Sequence, residues 1–351
     1  MSKLTLLVPM ASIVCLLSST SYADDITFFG EMNNSIVNSN TAYGTRNDKS
    51  GTSIENWAAI GIKGSEGITN DVSIIYKMSF QVYNASTDGS STPIEAYNTY
   101  LGLGSNQFGT VLVGRNNTVF KSSEGNIDLF NGSNADINNL VAGQTRSADG
   151  IWYYSPKLAD LITLNATYLM AANQSTDNTV DINSQYALSA TLGDKHFNDQ
   201  KYYLSASYNN GISSVNAYRG VSQFKLGQFT VGGLYQYTKS LTITESDMKG
   251  YSYFLNLMYS FDNINLKAEY GSDNSGLGYY FKNATGGSGT DRSTFSNVKM
   301  SQITLGADYI LSNSTTLYTH YSLYKGSYNL SNTQVSLSND NIMTVGVDYH
   351  F

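Results

Sequence analysis

Histidine, cysteine and carboxylate spacings are where enzymatic or metal chemistry would first be visible in this sequence. The three histidines, His196, His320 and His350, are isolated, and no HExxH segment, Cys/His cluster or spaced carboxylate set predicts a metal site. No GxSxG nucleophile elbow or phosphate-cradling loop occurs, and the glycine-rich TGGSGT at 285–290 is typical of a polar loop tip. The sequence therefore predicts no enzyme, no metal and no cofactor.

The N-terminal segment MSKLTLLVPMASIVCLLSSTSYA has a basic residue, a short apolar run and small residues ending at Ala23. This pattern predicts a secretory signal peptide, residues 1–23, and a mature chain of residues 24–351. Cys15 is lost with the signal peptide, so the mature chain has no disulfide. Without Lys3 it carries 19 basic against 27 acidic residues, a formal net charge of −8. We therefore expect no nucleic-acid partner.

Apolar and polar residues alternate along most of the mature chain. In DVSIIYKMSFQVYN (71–84) and LITLNATYLM (161–170), nearly every second residue is apolar, and those between are mostly Ser, Thr, Asn, Gln or Lys. This period of two predicts β-strands, and no segment shows a sustained helical period with caps. We predict sixteen strands in one domain.

The connections between these strands are of two kinds. Those after even-numbered strands are mostly tight, such as GQ at 227–228. Those after odd-numbered strands are often long and rich in Gly, Ser and Asn, such as 273–297 and 326–340, and the longest follows the fifth strand. We therefore expect short turns at one end of the molecule and long loops at the other.

A closed membrane barrel fits this pattern better than a soluble sandwich. Strands of about 10 residues tilted by about 45° match the lipid-facing band of an outer-membrane barrel, whereas sandwich strands are shorter. The polar face suits a water-filled lumen, because a dry core would leave its Ser, Thr and Asn groups without hydrogen bonds. Sixteen strands also make a ring too wide for side chains to fill. The predicted fold class is all-β, a single 16-stranded antiparallel transmembrane β-barrel.

The aromatic residues and the last strand support closure. Many of the 28 tyrosines lie near predicted strand ends, where an aromatic girdle would meet the bilayer boundary. The chain ends in TVGVDYHF (344–351), an alternating segment that finishes on Phe351. An open strand edge is not tolerated in lipid. We therefore predict that this strand pairs with the first, FFGEMNNSIV.

Four segments resemble the general porins of Gram-negative outer membranes, especially the neisserial and β-proteobacterial branch. They are AAIGIKGSEGI (58–68), YLGLGSNQFGTVLVGRNNTVFKSSEGNIDLF (100–130), TRSADGIWYYSPKLADL (145–161) and ADYILSNSTTLYTHYSLY (307–324) with the closing TVGVDYHF. The resemblance implies a homotrimer with short periplasmic turns, long extracellular loops and a third loop, residues 116–147, folded into the channel. It also implies contact with outer-membrane lipid and lipopolysaccharide, and recognition of Phe351 and Tyr349 by the barrel-assembly machinery.

In this family, acidic side chains on the third loop face a basic cluster on the channel wall. The positions that match are, on the acidic side, Glu124, Asp128 and Asp136, and on the basic side Arg115, Arg146, Lys63 and Lys121. Opposed charges across a water-filled constriction order water and penalise apolar solutes. Ala59 and Tyr97 stand where enterobacterial porins keep arginines, so we expect a weaker transverse field here.

The leading function is an outer-membrane channel for passive diffusion of small hydrophilic solutes and ions. A net negative lumen concentrates cations, so we expect weak cation selectivity. A substrate-selective channel is the alternative, which would need an aromatic track; Phe120, Phe130 and Tyr153 lie near the predicted constriction. A secreted or surface β-rich adhesin is a further alternative.

Overall fold

The computed structural model describes residues 26–83, 92–170, 182, 184–287 and 289–351. These residues form one antiparallel sheet that closes on itself. Its strands are β1 (Thr27–Ser39), β2 (Gly51–Gly67), β3 (Val72–Val82), β4 (Ile94–Ser105), β5 (Gly109–Asn117), β6 (Arg146–Tyr154), β7 (Ile162–Leu169), β8 (Gln185–Gly193), β9 (Tyr202–Asn210), β10 (Val215–Leu226), β11 (Phe229–Ser240), β12 (Lys249–Phe261), β13 (Ile264–Asp273), β14 (Phe295–Ser312), β15 (Thr315–Leu330), β16 (Thr333–Ser336) and β17 (Asp340–His350). The predicted signal peptide lies outside the described residues.

Sixteen of these strands form the barrel wall, which confirms the predicted fold class. The extra strand, β16, pairs with the end of β15, whereas the rest of β15 pairs with β17. This hairpin lies in the stretch 326–340, which the sequence pattern assigned to a loop. Ser331 and Asn332 both have positive φ, 49° and 81°. Such a two-residue turn matches the twist of the flanking strands, so the hairpin extends β15 beyond the wall.

Helical structure in the described part of the chain is short. It comprises α1 (Val119–Ser122), α2 (Tyr279–Ala284) and 3-10 turns at Ile137–Asn139, Ile212–Ser214 and Ile243–Glu245. None of the helices in the described residues has the length and apolar character needed to cross a bilayer.

The alternation in the sequence separates the two faces of the wall. Along β12, Tyr253 and Leu255 are exposed on the outside at 38% and 59%, whereas Ser252 and Phe254 point inward and are buried. Large apolar side chains are likewise exposed along the other wall strands except β9. An apolar outer face is what a hydrocarbon environment requires, and polar groups are retained only where the lumen or the protein satisfies them.

The first and last strands close the ring. β1 pairs with β17 from Glu31 opposite His350 to Ser39 opposite Ile342. Beyond this ladder, Gly30 and Phe351 exchange two backbone hydrogen bonds of 2.9 and 3.0 Å. The C-terminal edge is therefore paired to its last residue, as the alternation of the last strand predicted.

Gly30 makes room for the terminal aromatic ring. A Cβ built on Gly30 would lie 2.2 Å from Cζ of Phe351, because the ring lies directly over this glycine. We expect Gly30→Leu to displace the Phe351 ring and to destabilise the seam, the pairing of β1 with β17, by about 1–3 kcal/mol, the usual cost of overpacking. Thermal unfolding of the refolded protein, followed by the heat-dependent shift in gel mobility, measures this loss.

Gly220→Leu is the matched control, because Gly220 lies mid-strand in β10 and a Cβ there meets nothing within 4 Å. Equal unfolding temperatures for the two variants would show that the close approach of Phe351 to Gly30 does not matter for closure.

Candidate functional site

The segment between β5 and β6, residues 118–145, folds into the barrel and is called the inward loop below. Its Ile127, Ile137 and Leu140 are each 1% exposed and belong to a core shared with the barrel wall. The wall residues of this core include Val221, Leu234, Phe254, Met300, Tyr324 and Ile342. At Gly232 in β11, a Cβ would lie 2.4 Å from Cδ1 of Ile127, so this glycine gives the loop its space. The inward loop therefore covers one side of the lumen and leaves the other open.

Asn134 fastens the tip of the inward loop to three wall strands. Its amide nitrogen donates to the carboxylate of Glu55 (3.1 Å) and to the hydroxyl of Thr344 (2.9 Å). Its amide oxygen lies 2.9 Å from Nε2 of His320, and its backbone carbonyl accepts from the hydroxyl of Tyr324 at 2.8 Å. Asn134 is fully buried. Because an unpaired buried polar group is costly, this cluster sets where the tip lies.

Two of the predicted acidic residues hold the loop in shape. Asp128 accepts backbone hydrogen bonds from Phe130 (3.0 Å) and Ile137 (3.1 Å), and Asp136 accepts one from Gly132 (3.1 Å). Burial, followed by the neighbouring carboxylate of Asp136, raises the pKa of Asp128 well above its ordinary value. Asp128 is thus a structural carboxylate that gains a proton more readily than an exposed aspartate does.

The third predicted acidic residue, Glu124, is paired within the protein. Its carboxylate lies 3.7 Å from Nζ of Lys121 and 3.7 Å from Nη1 of Arg219 in β10, and it accepts from the amide of Gln144 at 2.6 Å. Burial disfavours the Lys121 ammonium, yet its carboxylate neighbours, led by Glu124 and Asp136, raise the pKa of Lys121. The charge of Glu124 is therefore shared between two cations, one of which is fully desolvated.

A cavity of ≈ 420 Å³ lies between the inward loop and the open side of the wall. We call it the loop-side cavity. Its charged lining residues are the acidic Glu31, Glu124, Asp136 and Asp348 and the basic Arg46, Lys121 and Arg146. The lining thus holds four carboxylates and three cations.

Arg146 supplies the basic side of this cavity from the start of β6. Its guanidinium lies 3.4 Å from the ring centroid of Tyr97, and its Nε donates to the amide oxygen of Asn98. The Tyr97 ring in turn meets Trp57 edge-on, with centroids 5.5 Å apart. These contacts fix an otherwise flexible side chain, so its charge stands at a defined place on the wall.

Two other predicted basic residues do not line the loop-side cavity. Arg115 is not among the residues that line this cavity, and its Nε donates to the carbonyl of Ala96 at 3.1 Å. Lys63 points inward, but its Nζ lies 5.6 Å from the ring centroid of Phe29. The structure therefore brings Glu124, Asp136, Lys121 and Arg146 together at one cavity and leaves Arg115 and Lys63 outside it.

A second cavity, of ≈ 270 Å³, adjoins the first and shares Asn33, Asn131 and Asp348 with it. Asp128 and the pair formed by Lys267 and Asp308, with Nζ to Oδ1 2.7 Å, also line it. The shared residues connect the two cavities, so the polar passage continues around the loop tip.

Of the three aromatic residues considered for a substrate track, only Phe130 borders this passage: it lines the second cavity, although its side chain is 3% exposed. Phe120 is 0% exposed, and Tyr153 lies on the outer face of β6. The aromatic residues that do line the loop-side cavity are Trp57 and Tyr97.

The sequence pattern missed several lining residues, among them Glu31, Arg46 and Asp348. Glu31 and Asp348 occupy polar positions in the two strands predicted to close the ring, so their inward direction was visible in the alternation. Arg46 lies in a loop without periodicity. Its contact with the carbonyl of Gly132 depends on how two loops fold inside the barrel.

A family model for the Gram-negative porin matches residues 10–329. This chain belongs to the Gram-negative porin family. No curated protein matched the sequence significantly. The family places the barrel in the outer membrane and points to a channel for solute diffusion rather than an enzyme.

Solved porin structures are similar to this porin over most of its length. The anion-selective porin of Comamonas acidovorans has a TM-score of 0.64 at 16% identity, covering 93% of this chain and 99% of that one. OmpF of Salmonella typhi, in complex with daunomycin, has a TM-score of 0.64 at 15% identity, covering 93% and 97%. OmpT of Vibrio cholerae, in a trimer form, has a TM-score of 0.64 at 13% identity, covering 93% and 99%. At such identities the likeness concerns the fold.

Proposed function

We propose that this porin is a weakly cation-selective pore for small hydrophilic solutes, with the inward loop as its constriction. The excess of carboxylates over cations in the loop-side cavity carries the proposal. The anion selectivity of the Comamonas porin is a property of that protein. The lining of the present channel favours the opposite sign, because an ion's local concentration follows the sign of the lining charge.

In this proposal the opposed charges are Asp136 on the loop and Arg146 on the wall, whereas the charge of Glu124 is offset by Lys121 and Arg219. Asp128 lines the second cavity, but its role in this proposal is to support the loop through its two backbone hydrogen bonds. Lys121 contributes little free positive charge, since it is paired with Glu124 at 3.7 Å. Arg115 has no role in the passage, and Lys63 acts nearer the end of the barrel at which β1 begins.

We further propose a homotrimer, exported with residues 1–23 as its signal peptide and inserted through recognition of Phe351 and Tyr349 by the assembly machinery. Both aromatic rings face outward, 51% and 42% exposed, where lipid, lipopolysaccharide or an assembly partner has access to them. The trimer form of the Vibrio protein supports the oligomeric state. The relation to the neisserial and β-proteobacterial branch also remains a proposal, supported by the quoted motifs.

Reconstitution of the mature protein in a planar bilayer tests the proposal. With a tenfold KCl gradient, we expect a reversal potential of the sign for K⁺ permeation, and current steps that occur in threes. A reversal potential of the opposite sign would overturn the selectivity. Single, unlinked steps would overturn the trimer while leaving the pore.

A substrate-selective channel is the second candidate, favoured by the cluster of Trp57, Tyr97 and Arg146 at the cavity wall. Sugars and planar rings pack on such aromatic surfaces. Saturable block of the ion current by a sugar or a nucleoside would support it, and current that falls only in proportion to solution viscosity would count against it.

A further inference from the structure

A histidine and two carboxylates meet inside the barrel at the seam. Glu31 of β1 stands opposite His350 of β17, and Asp348 lies two residues before His350 on the same face. Nδ1 of His350 is 3.9 Å from Oε2 of Glu31, and its Nε2 is 3.1 Å from Oδ2 of Asp348. One donor atom from each residue lies within 4.8 Å of the others.

These three side chains have the composition of a transition-metal site. Imidazole nitrogen suits Zn²⁺, Ni²⁺ and Cu²⁺, and two carboxylates neutralise the charge of a divalent ion. A tetrahedral zinc site with bonds of about 2.1 Å places its donor atoms about 3.4 Å apart. In the structure His350 turns Nδ1 towards Glu31 and Nε2 towards Asp348; an ion would take one of these nitrogens, and the three donor atoms already lie within 4.8 Å of one another. Rotation of the exposed His350 ring and of the half-buried Glu31 and Asp348 side chains would close the set around one ion.

The environment of Asp348 gives a second, independent indication. Its other oxygen, Oδ1, is buried and has no hydrogen-bond partner among the described residues. A buried carboxylate oxygen without a donor is unfavourable unless a cation or water satisfies it. This carboxylate is therefore not committed to other groups.

We infer that Glu31, Asp348 and His350 form a site in the channel for a borderline divalent cation of the Zn²⁺ or Ni²⁺ class. Three protein ligands leave a fourth position for water, so the site is open to the lumen. Glu31 and Asp348 line the loop-side cavity, so a bound ion adds positive charge to the conduction path. The ion also links β1 to β17, the two wall strands that no turn connects.

Calorimetry on the untagged mature protein, refolded in detergent, tests the site without any need for current. We expect one Zn²⁺ per chain and an unfolding temperature that rises with zinc, because a ligand that binds only the folded state stabilises it. Glu31→Gln and His350→Gln should each weaken binding by about tenfold or more, since loss of even an outer contact to a ligand costs that much. His196→Gln, at an exposed histidine between β8 and β9, should leave binding unchanged.

Bilayer recording adds the effect on conduction. Added ZnCl₂ should lower the current in the unmodified channel and in His196→Gln, but not in Glu31→Gln. MgCl₂ at equal concentration should have little effect, because Mg²⁺ prefers oxygen ligands. Zinc binding that survives both Glu31→Gln and His350→Gln, or equal effects of Mg²⁺ and Zn²⁺, would overturn the assignment. Should His350→Gln fail to refold because it lies beside the C-terminal residue, Glu31→Gln decides alone.

Discussion

Asn134→Ala is expected to release the tip of the inward loop and to produce the largest change in conductance of any single substitution. The change removes the amide that satisfies Glu55, Thr344 and His320. Each buried polar group left unpaired costs about 1–3 kcal/mol, so docking of the tip should weaken by roughly 3 kcal/mol. At 1.4 kcal/mol for each factor of ten, the undocked population rises by roughly a hundredfold. Single-channel recording should show larger and noisier currents.

Asn131→Ala provides the control, because Asn131, three positions earlier on the same loop, is an exposed and uncharged residue that lines both cavities but does not belong to the Asn134 cluster. Its currents should remain close to those of the unmodified protein. Hydrogen exchange gives the independent readout, since loop amides that are protected in the native channel should exchange faster in Asn134→Ala. Unchanged current and unchanged exchange would mean that the apolar core around Ile127 and Leu140 holds the loop without the polar anchor.

Arg146→Glu is expected to give the second-largest effect, a marked gain in cation preference. The substitution replaces a lining cation by a carboxylate, a change of two charges in the loop-side cavity. The Coulomb interaction energy between an ion and a unit charge about 7 Å away in water is about 0.6 kcal/mol. A change of two charges therefore alters the local cation concentration by roughly eightfold before screening by salt. Salt reduces this effect, and the reversal potential should therefore shift most at low ionic strength.

Arg115→Glu makes the same charge change in β5, outside the lining of the loop-side cavity, and is the matched control. Its side chain does not line the cavity, so the reversal potential should stay near that of the unmodified channel. An equal shift in both variants would show that Arg115 reaches the lumen in the membrane. A shift in neither would show that the ion path does not pass Arg146.

The barrel could be predicted from the sequence because the alternation of apolar and polar residues that specifies it is a local pattern. The period of two in segments such as 71–84 sets which side chains face lipid, and no packing partner is needed to read it. The need to satisfy every backbone group in lipid then leaves closure as the only outcome, and TVGVDYHF does pair with β1. The hairpin at β16 was missed because its turn, Ser331–Asn332, lacks the Asn-Gly or Asp-Gly signal of such turns.

The roles of individual charged residues could not be predicted from the alternation of apolar and polar residues alone. Arg115 lies beside a register shift between β5 and β6, at Gly114 and Asn116. In a strand, a displacement of one residue moves a side chain to the other face, so its direction could not be inferred from position alone. Glu124 was visible as an acidic residue, but its buried partner Arg219 comes from β10, five strands further along the chain.

The sequence by itself determined the class of fold, the two faces of the wall and the closing pair of strands, because alternation and the demands of lipid act residue by residue. Only the tertiary structure decided which groups meet in the lumen. Asn134 finds its partners on β2, β15 and β17, and Glu31 meets His350, only because the closed ring and the inward loop bring together residues far apart in the chain. Such contacts depend on the circumference of the barrel and on the path of the inward loop, and the local spacing of residues encodes neither.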